Sequence, residues 1–478
     1  MRKGWHKVLR WIDDRSGVSR FLGPILRHPV PPGTGWYYVF GSATLASFVV
    51  QVVTGIALST SYVTSAGQAY DSLRFITNTS TLGSFIRGMH YYGASAMILL
   101  IGFHVIRVYL TGSFKYPREM NWLTGAGLLL FTLLMGFTGQ LLRWDQNGMW
   151  SAVIAAEQAG RAPVIGPWLA RFILAGDTVG GATLSRFYAF HVFWIPALIF
   201  AFLGWHLYLV LHNGISEQPK AGRLVDPKRY RQWYANMLKE RGVPFWPDAA
   251  WRDVVFGAGV VLAIIVLAAY YGAPELGKPP DPSIVQAFPR PDWYLLWYFG
   301  LLALLPRGAE NYVIVFGPLA FGLLMIAVPL LSNRGERSAS RRPWAIGFVL
   351  FAFMMIGVFW VKAIQAPWSP DFSAKPLPAS VVGVTTGPVA EGAKLFYEKG
   401  CEYCHRISGY GGRRGPELSD VGVRLTHNQI VWRILYGGVN MPGYGNNMEP
   451  RQLNAIVAFL QSRKPVYPRA PAPKSQAE

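Results

Sequence analysis

Seven apolar stretches dominate the chain, at 36–60, 85–110, 122–142, 187–211, 254–271, 312–331 and 344–364. Each approaches or exceeds the roughly 20 residues that a helix needs to cross a hydrocarbon core about 30 Å thick. Inside a bilayer the backbone must satisfy its own hydrogen bonds, so segments of this kind can only be helices. The expected fold class is therefore all-α, a polytopic membrane bundle of about seven transmembrane helices. Composition agrees, with 51% hydrophobic, 14% aromatic and only 15% charged residues, far from the balance of a soluble domain.

Charge gives the expected orientation. The first 35 residues are basic and lack the apolar run of a cleavable signal, which predicts a cytoplasmic N-terminus. With seven spans, the loops expected inside hold 21 Lys and Arg and those outside hold 8, in line with the positive-inside rule. The expected location is a bacterial inner membrane, with the C-terminus on the outer side. Much of the net charge of +20 then anchors loops to anionic lipid, and nucleic-acid binding is excluded as its explanation.

The chain divides by composition into an expected four-span block at 1–216 and a three-span block at 217–365. A Pro- and Ser-containing linker at 366–388 follows, with Pro367, Pro370, Pro376, Pro378 and Pro388. A small polar domain at 389–465 and a disordered tail at 466–478 complete the division.

The polar domain contains Cys401-Glu402-Tyr403-Cys404-His405, a C-x-x-C-H sequence. Two thiols at this spacing form thioethers to haem vinyl groups, and the adjacent imidazole becomes an axial iron ligand. These are the only two cysteines. A disulfide, a redox pair or half a zinc site are the competing uses, but zinc needs further ligands that are not apparent. Helices are expected at 391–399 and 450–462, the layout of a small α-helical, class I-like cytochrome c. Gly415-Pro416-Glu417-Leu418 resembles the segment that braces the proximal histidine in such domains. Met441, in Met441-Pro442-Gly443, is the expected sixth ligand, with Met448 as the alternative. Thioether ligation raises the reduction potential.

Four more histidines fall in two spans. His90 and His104 lie on the second, His191 and His206 on the fourth. At helical geometry a step of 14 residues leaves two side chains about 40° apart and about 21 Å along the axis, and a step of 15 gives about 60° and 22 Å. Both spans run in the same direction, so His90 pairs with His191 near the outer face and His104 with His206 near the cytoplasmic face. Four matched histidines suit two bis-His haems far better than isolated packing or relay roles. Gly41 and Gly55 on the first span, and Gly125 and Gly139 on the third, repeat the 14-residue step. A missing side chain lets a porphyrin lie against the backbone. Arg87 and Arg107 flank the histidines and suit haem propionates or, equally, interfacial anchoring.

Arg87-Gly88-Met89-His90, His104-Val105-Ile106-Arg107-Val108-Tyr109-Leu110-Thr111-Gly112, Trp144-Asp145-Gln146 and Arg186-Phe187-Tyr188 together resemble the cytochrome bc family. The likeness covers about residues 1–364 and is closest to the plastid-type branch, with its second, subunit IV-like part fused here. That branch attaches an additional haem through a cysteine, where this chain has Val39. With both cysteines already used, no covalently held extra haem is expected on the cytoplasmic side.

The resemblance implies two non-covalent haem b groups, one covalent haem c and a quinol substrate. Pro291-Asp292-Trp293-Tyr294 resembles the family's Pro-Glu-Trp-Tyr motif, whose carboxylate accepts a proton at the quinol-oxidation site. Asp292 and Tyr294 are the expected catalytic pair there, and the shorter Asp hints at menaquinol. On the cytoplasmic side, His212 with Asp13 or Asp14 is a candidate proton donor to quinone, or a set of interfacial anchors. The implied activity is that of a quinol–cytochrome c reductase. One electron leaves by a high-potential route, the other crosses by the His90/His191 and His104/His206 haems, and proton translocation results. The implied partners are a separate Rieske iron–sulfur protein, a high-potential electron acceptor and a second copy in a homodimer. The alternative is a dihaem cytochrome b anchoring a dehydrogenase or hydrogenase, which predicts neither the Pro-Asp-Trp-Tyr loop nor a tethered haem c.

Overall fold

The computed structural model describes residues 2–281, 289–306, 308–365, 374–413, 415–437, 441, 443–445 and 448–464. Seven helices are long and apolar enough to span a membrane. They are α1 (Phe40–Ser59), α2 (Gly83–Leu110), α3 (Glu119–Leu141), α4 (Gly181–Asn213), α5 (Ala250–Tyr271), α6 (Ala309–Leu331) and α7 (Pro343–Gln365). Their flanks carry exposed side chains such as Val53, Ile56, Leu262 and Leu331, a surface that water would not tolerate and lipid covers.

The chain forms two compact units. The first comprises Met1–Pro279, Pro291–Tyr294 and Pro306–Gly357. In it α1 packs on α2, α3 on α4, and α5 against both α1 and α2. Helix α4 is not uniform, because Phe190–Trp194 winds as a single π-turn between two α-helical parts. Pro196 follows at once and has no N–H for the carbonyl one turn back, a common companion of such a bulge. A π-turn takes up one extra residue, so the 15-residue step from His191 to His206 brings the two rings closer in azimuth than a regular helix allows.

A polar latch joins loops far apart in sequence. Arg118 is buried and donates to the carbonyls of Gly214 (2.8 Å) and Asn213 (3.2 Å) and to the Tyr230 hydroxyl (2.8 Å). Tyr230 donates to Glu217 (2.7 Å), which is ion-paired with Arg337 from the α6–α7 loop. Lys115 donates to the carbonyls of Ser332 and Arg334, each at 2.6 Å. Every one of these charges has a partner, which is the condition for burying them.

The second unit comprises Pro280–Arg290, Leu295–Leu305 and Val358–Glu478. Its C-terminal module crosses α8 (Pro388–Glu398) on α10 (Pro450–Gln461), with α9 (His427–Tyr436) alongside α10. Gly392 sits at the crossing, where a Cβ would run into the Ala455 carbonyl. Phe396 and Phe459 meet at 5.6 Å between ring centroids in the core. Residues 379–382 form a helical turn, and Leu377, Val381 and Val382 pack on this core in place of the extended course expected up to 388. Their apolar side chains explain it, and Arg463 fixes the turn by donating to the Val381 and Val382 carbonyls. Pro367, Pro370 and the tail beyond 464 lie outside the described residues.

Candidate functional site

The four span histidines lie in two layers. His90 and His191 face each other with ring centroids 6.3 Å apart and planes at 74°, a spacing that admits one metal ion held by a nitrogen from each ring at about 2 Å. His104 and His206 lie within electrostatic reach of one another in the other layer. Between the layers Phe48, Met97, Ile195 and Ile199 form a buried apolar cluster, joined by Leu128, Phe131 and Met135.

Each histidine rests against one glycine. A Cβ on Gly41 would stand 3.0 Å from the His104 ring, on Gly55 3.2 Å from His90, on Gly125 3.4 Å from His206 and on Gly139 2.8 Å from His191. Three rings are also oriented by a hydroxyl. Thr54, Thr124 and Thr138 lie 2.9, 2.9 and 3.0 Å from Nδ1 of His90, His206 and His191. Each hydroxyl donates to a carbonyl one turn back in its own helix. It therefore accepts from Nδ1–H and leaves Nε2 as the free ligand atom, the usual way of fixing a metal-binding tautomer. The signal was present in the sequence as Thr54-Gly55, Thr124-Gly125 and Thr138-Gly139, and Gly41 alone follows a phenylalanine.

The flanking arginines differ. Arg107 has Nε and Nη2 buried without a hydrogen-bond partner among the described residues, and its guanidinium lies 3.7 Å from the Tyr38 ring centroid. An orphaned buried cation beside a histidine layer fits an anionic propionate. Arg87 is already engaged, donating to Thr77 (3.1 Å) and to the Pro274 carbonyl (2.7 Å). Val39 is buried at the start of α1.

The Pro291–Tyr294 segment docks on the end of α3. The Asp292 amide donates to Gln140 Oε1 (3.1 Å) and Trp293 Nε1 to Ser95 Oγ (3.3 Å). Gln140 directly follows Gly139, the residue that borders His191. Burial raises the Asp292 carboxyl above its usual range; the Arg143 guanidinium opposes that shift and the Asp145 carboxylate adds to it. The Tyr294 hydroxyl is buried without a hydrogen-bond partner among the described residues, lies over Gly136, and is raised by burial and by Asp292. Residues 282–288 lie outside the described residues.

At the far end of α4, His212 stacks on Tyr208 at 5.8 Å. It lines a cavity of about 140 Å³ with His28, Asn213, Tyr230, Arg231 and Tyr234. His28, which sequence reasoning passed over, has a buried Nε2 without a partner among the described residues, and burial lowers its pKa. Asp13 and Asp14 make local bonds instead: Asp13 accepts from the Ser19 amide (2.6 Å) and hydroxyl (2.7 Å), and Asp14 pairs with Arg15 (3.4 Å).

In the C-terminal module Cys401 and Cys404 lie on one helical turn. His405 follows, buried, with Nδ1 2.9 Å from the Pro416 carbonyl. A Cβ on Gly415 would stand 2.5 Å from the His405 ring. This donor set, two thiols and a histidine with its second nitrogen fixed, fits a covalently attached haem. Met448 packs against the module's core, whereas Met441 is partly buried outside it. Glu402 is a surprise: it is 1% exposed, and burial pushes its carboxyl up to about 7.

The relatives agree with this architecture. Residues 25–214 match the family model for cytochrome b/b6/petB, and residues 387–460 match that for cytochrome c oxidase, cbb3-type, subunit III. Cytochrome b6 of Heliobacterium modesticaldum is 41% identical over 211 residues, which is 44% of this chain and 99% of that protein. Cytochrome b6 of Crocosphaera subtropica is 39% identical over 210 residues, covering 44% of this chain and 95% of the relative. A solved structure titled hyperthermophilic respiratory complex III is similar at a TM-score of 0.60 and 25% identity, over 82% of this chain and 95% of its own. The chain thus belongs to the cytochrome b/b6 family, extended at its C-terminus by a cytochrome c domain that brings haem c to a haem b protein.

Proposed function

We propose that this chain is the quinol-oxidising subunit of a proton-translocating cytochrome bc complex in a bacterial inner membrane. Its cytochrome c domain would lie on the outer side. One observation carries the reading: consecutive residues of α3 serve both chemistries, since Gly139 borders His191 and Gln140 holds Asp292. A carboxylate at that position receives a quinol proton beside the histidine pair that would hold the first haem of the transmembrane route, and the release of two protons and two electrons calls for such a base.

His90 with His191 and His104 with His206 would hold two haem b groups, and Cys401, Cys404 and His405 one haem c with Met441 as sixth ligand. The haems supply one-electron carriers that quinol chemistry on its own lacks. Arg107 would pair with a propionate, its two unpartnered nitrogens supporting that role. Thr54, Thr124 and Thr138 hold three imidazoles in the ligating tautomer. Tyr294 lies against Gly136 of α3, and Trp293 is tied to Ser95 of α2. His212 and His28 line the cavity suited to proton uptake on the cytoplasmic side. The quinol class, by the Asp form of the motif, is a low-potential menaquinol.

The chain's two cysteines leave none for an iron–sulfur cluster, so a separate Rieske subunit is the partner, in a complex built as a homodimer with a high-potential acceptor downstream. Redox-titrated absorbance of the purified complex with quinol added tests the reading, with and without a quinol-site inhibitor. Two b-type components and one c-type component, reduced by quinol and blocked by the inhibitor, are expected. Haem staining after denaturation should vanish in the Cys401→Ala/Cys404→Ala variant. Haems that quinol leaves oxidised would overturn the proposal.

A further inference from the structure

Two short helices precede the first span, Arg2–Ser16 and Val18–Leu26. Neither buries its apolar side within the chain among the described residues. In the first, Val8, Leu9, Trp11 and Ile12 are 43–59% exposed, and in the second Val18, Phe21, Leu22 and Leu26 are 39–74% exposed. No residue of Val18–Leu26 is buried. Isolated helices shorter than about 12–15 residues are marginal in water, so a helix of 9 residues with its apolar side open needs a cover.

The exposed side chains are ordered by face. At about 100° per residue, the four of the first helix fall within an arc of about 160°, with Lys7, Arg10, Asp13 and Asp14 on the rest of the circumference. Arg15 falls inside that arc, but its guanidinium lies over the Trp11 ring at 4.6 Å. The four of the second helix fall within about 140°, with Arg20 opposite. The turn between the helices is fixed, since Gly17 takes a left-handed φ of 65° and Asp13 accepts from the Ser19 amide and hydroxyl.

Their neighbours identify the cover. Val18–Leu26 packs on residues 245–249, which lead directly into α5, and Pro29–Val30 pairs with Val243–Pro244. At the same ends of α1 and α5, Trp36 and Trp251 are exposed and meet edge to face at 5.3 Å. Exposed tryptophans at span ends mark the boundary between hydrocarbon and water. Helices of 15 and 9 residues cannot cross a core that needs about 20. Residues 7–27 carry five basic and two acidic side chains, and of the acids Asp13 is turned to Ser19 and Asp14 to Arg15 (3.4 Å). Apolar aromatic and aliphatic side chains on one face and Lys and Arg on the other are the pattern of a helix lying in the plane of an anionic membrane surface.

We propose that residues 7–27 form a lipid-binding surface specific for anionic phospholipid. The apolar arcs of both helices enter the acyl boundary, and Lys7, Arg10, Arg20 and Arg27 reach phosphates on their long stems. This surface is independent of the quinol-site reading.

Hydrogen exchange of the haem-loaded full-length protein in lipid discs tests this, read on peptides covering 7–27. In discs containing phosphatidylglycerol, the amides of Val18–Leu26 should exchange about tenfold or more slowly than in discs of phosphatidylcholine alone. Added salt should shrink that gap. The Lys7→Gln/Arg10→Gln/Arg20→Gln/Arg27→Gln variant should lose most of it while keeping its b-type absorbance, and Trp11→Ser/Phe21→Ser should exchange fast in both lipids. Equal exchange of the wild-type chain in the two lipids overturns the proposal. So does slow exchange in a detergent micelle free of phospholipid, which would place the cover within the chain. Protection that appears only when other subunits are added overturns it too, and makes the partner a protein.

Discussion

His90 and His191, more than one hundred residues apart in sequence, face each other across 6.3 Å between ring centroids. Each is backed by a glycine of a third or fourth helix, and each is turned by a threonine one residue before that glycine. Four helices thus converge on one pair of imidazoles, and the glycine backing recurs with His104 and His206 on the other side of the apolar cluster around Met97, where His206 alone also meets a threonine.

That pairing predicts which lesions share a phenotype. His90→Leu and His191→Leu should each remove one and the same b-type component, while His104→Leu and His206→Leu remove the other. Potentiometric titration of the b-band absorbance reads the outcome. Loss of one shared component in His90→Leu and His206→Leu would contradict the layer assignment.

The threonine hydroxyls predict a finer effect. Thr138→Val keeps shape but removes the acceptor for His191 Nδ1–H. The imidazole then donates less electron density to a ferric ion, so the potential of the His90/His191 component should rise. A net hydrogen bond is worth about 1 kcal/mol, which is roughly 40 mV for a one-electron couple. A rise confined to the other component, or no change, would count against the tautomer argument.

Much of this was legible in the sequence, and the exceptions have physical causes. Apolar length alone located all seven spans, because lipid leaves a backbone no alternative to the helix. The 14-residue steps of histidine and glycine carried over directly into ring-to-backbone contacts. The π-turn at Phe190–Trp194 did not show itself, since it reflects packing and Pro196 rather than periodicity. His28 escaped notice because its meaning lies in what its buried Nε2 fails to touch among the described residues. The course of 377–382 was misjudged because several prolines outweighed three apolar side chains, Leu377, Val381 and Val382, that find a core in the adjoining module.

The latch on the α6–α7 side should behave as a coupled pair. Glu217 and Arg337 have side chains only 9% and 4% exposed. Removing one partner of such a pair costs about 3–5 kcal/mol, whereas replacing both by apolar groups is often neutral. Glu217→Ala and Arg337→Met should each lower the temperature at which b-type absorbance is lost, and the double variant should lose less than the sum. Additive losses would show that the ion pair is not the element holding these loops.

Asp292 sets an acid limb on the rate. Its carboxyl is raised by burial, so it takes up a bulk proton at higher pH than an exposed aspartate and ceases to accept one from quinol. Quinol-driven haem reduction in the wild-type should therefore fall as pH drops, and Asp292→Asn should be slow with that limb absent. An identical acid limb in both proteins would assign it to another group.

The most direct test is the absolute rate of that variant at neutral pH. Stopped-flow reduction of the b haems by quinol, with the iron–sulfur partner present, should be at least tenfold slower in Asp292→Asn, since a lost general base typically costs about 10² to 10⁴ and water takes over part of its work. Its haem content should be unchanged, and Asp292→Glu should retain most of the wild-type rate. Wild-type reduction in Asp292→Asn would contradict the account and leave Pro291–Tyr294 as an ordinary buried turn.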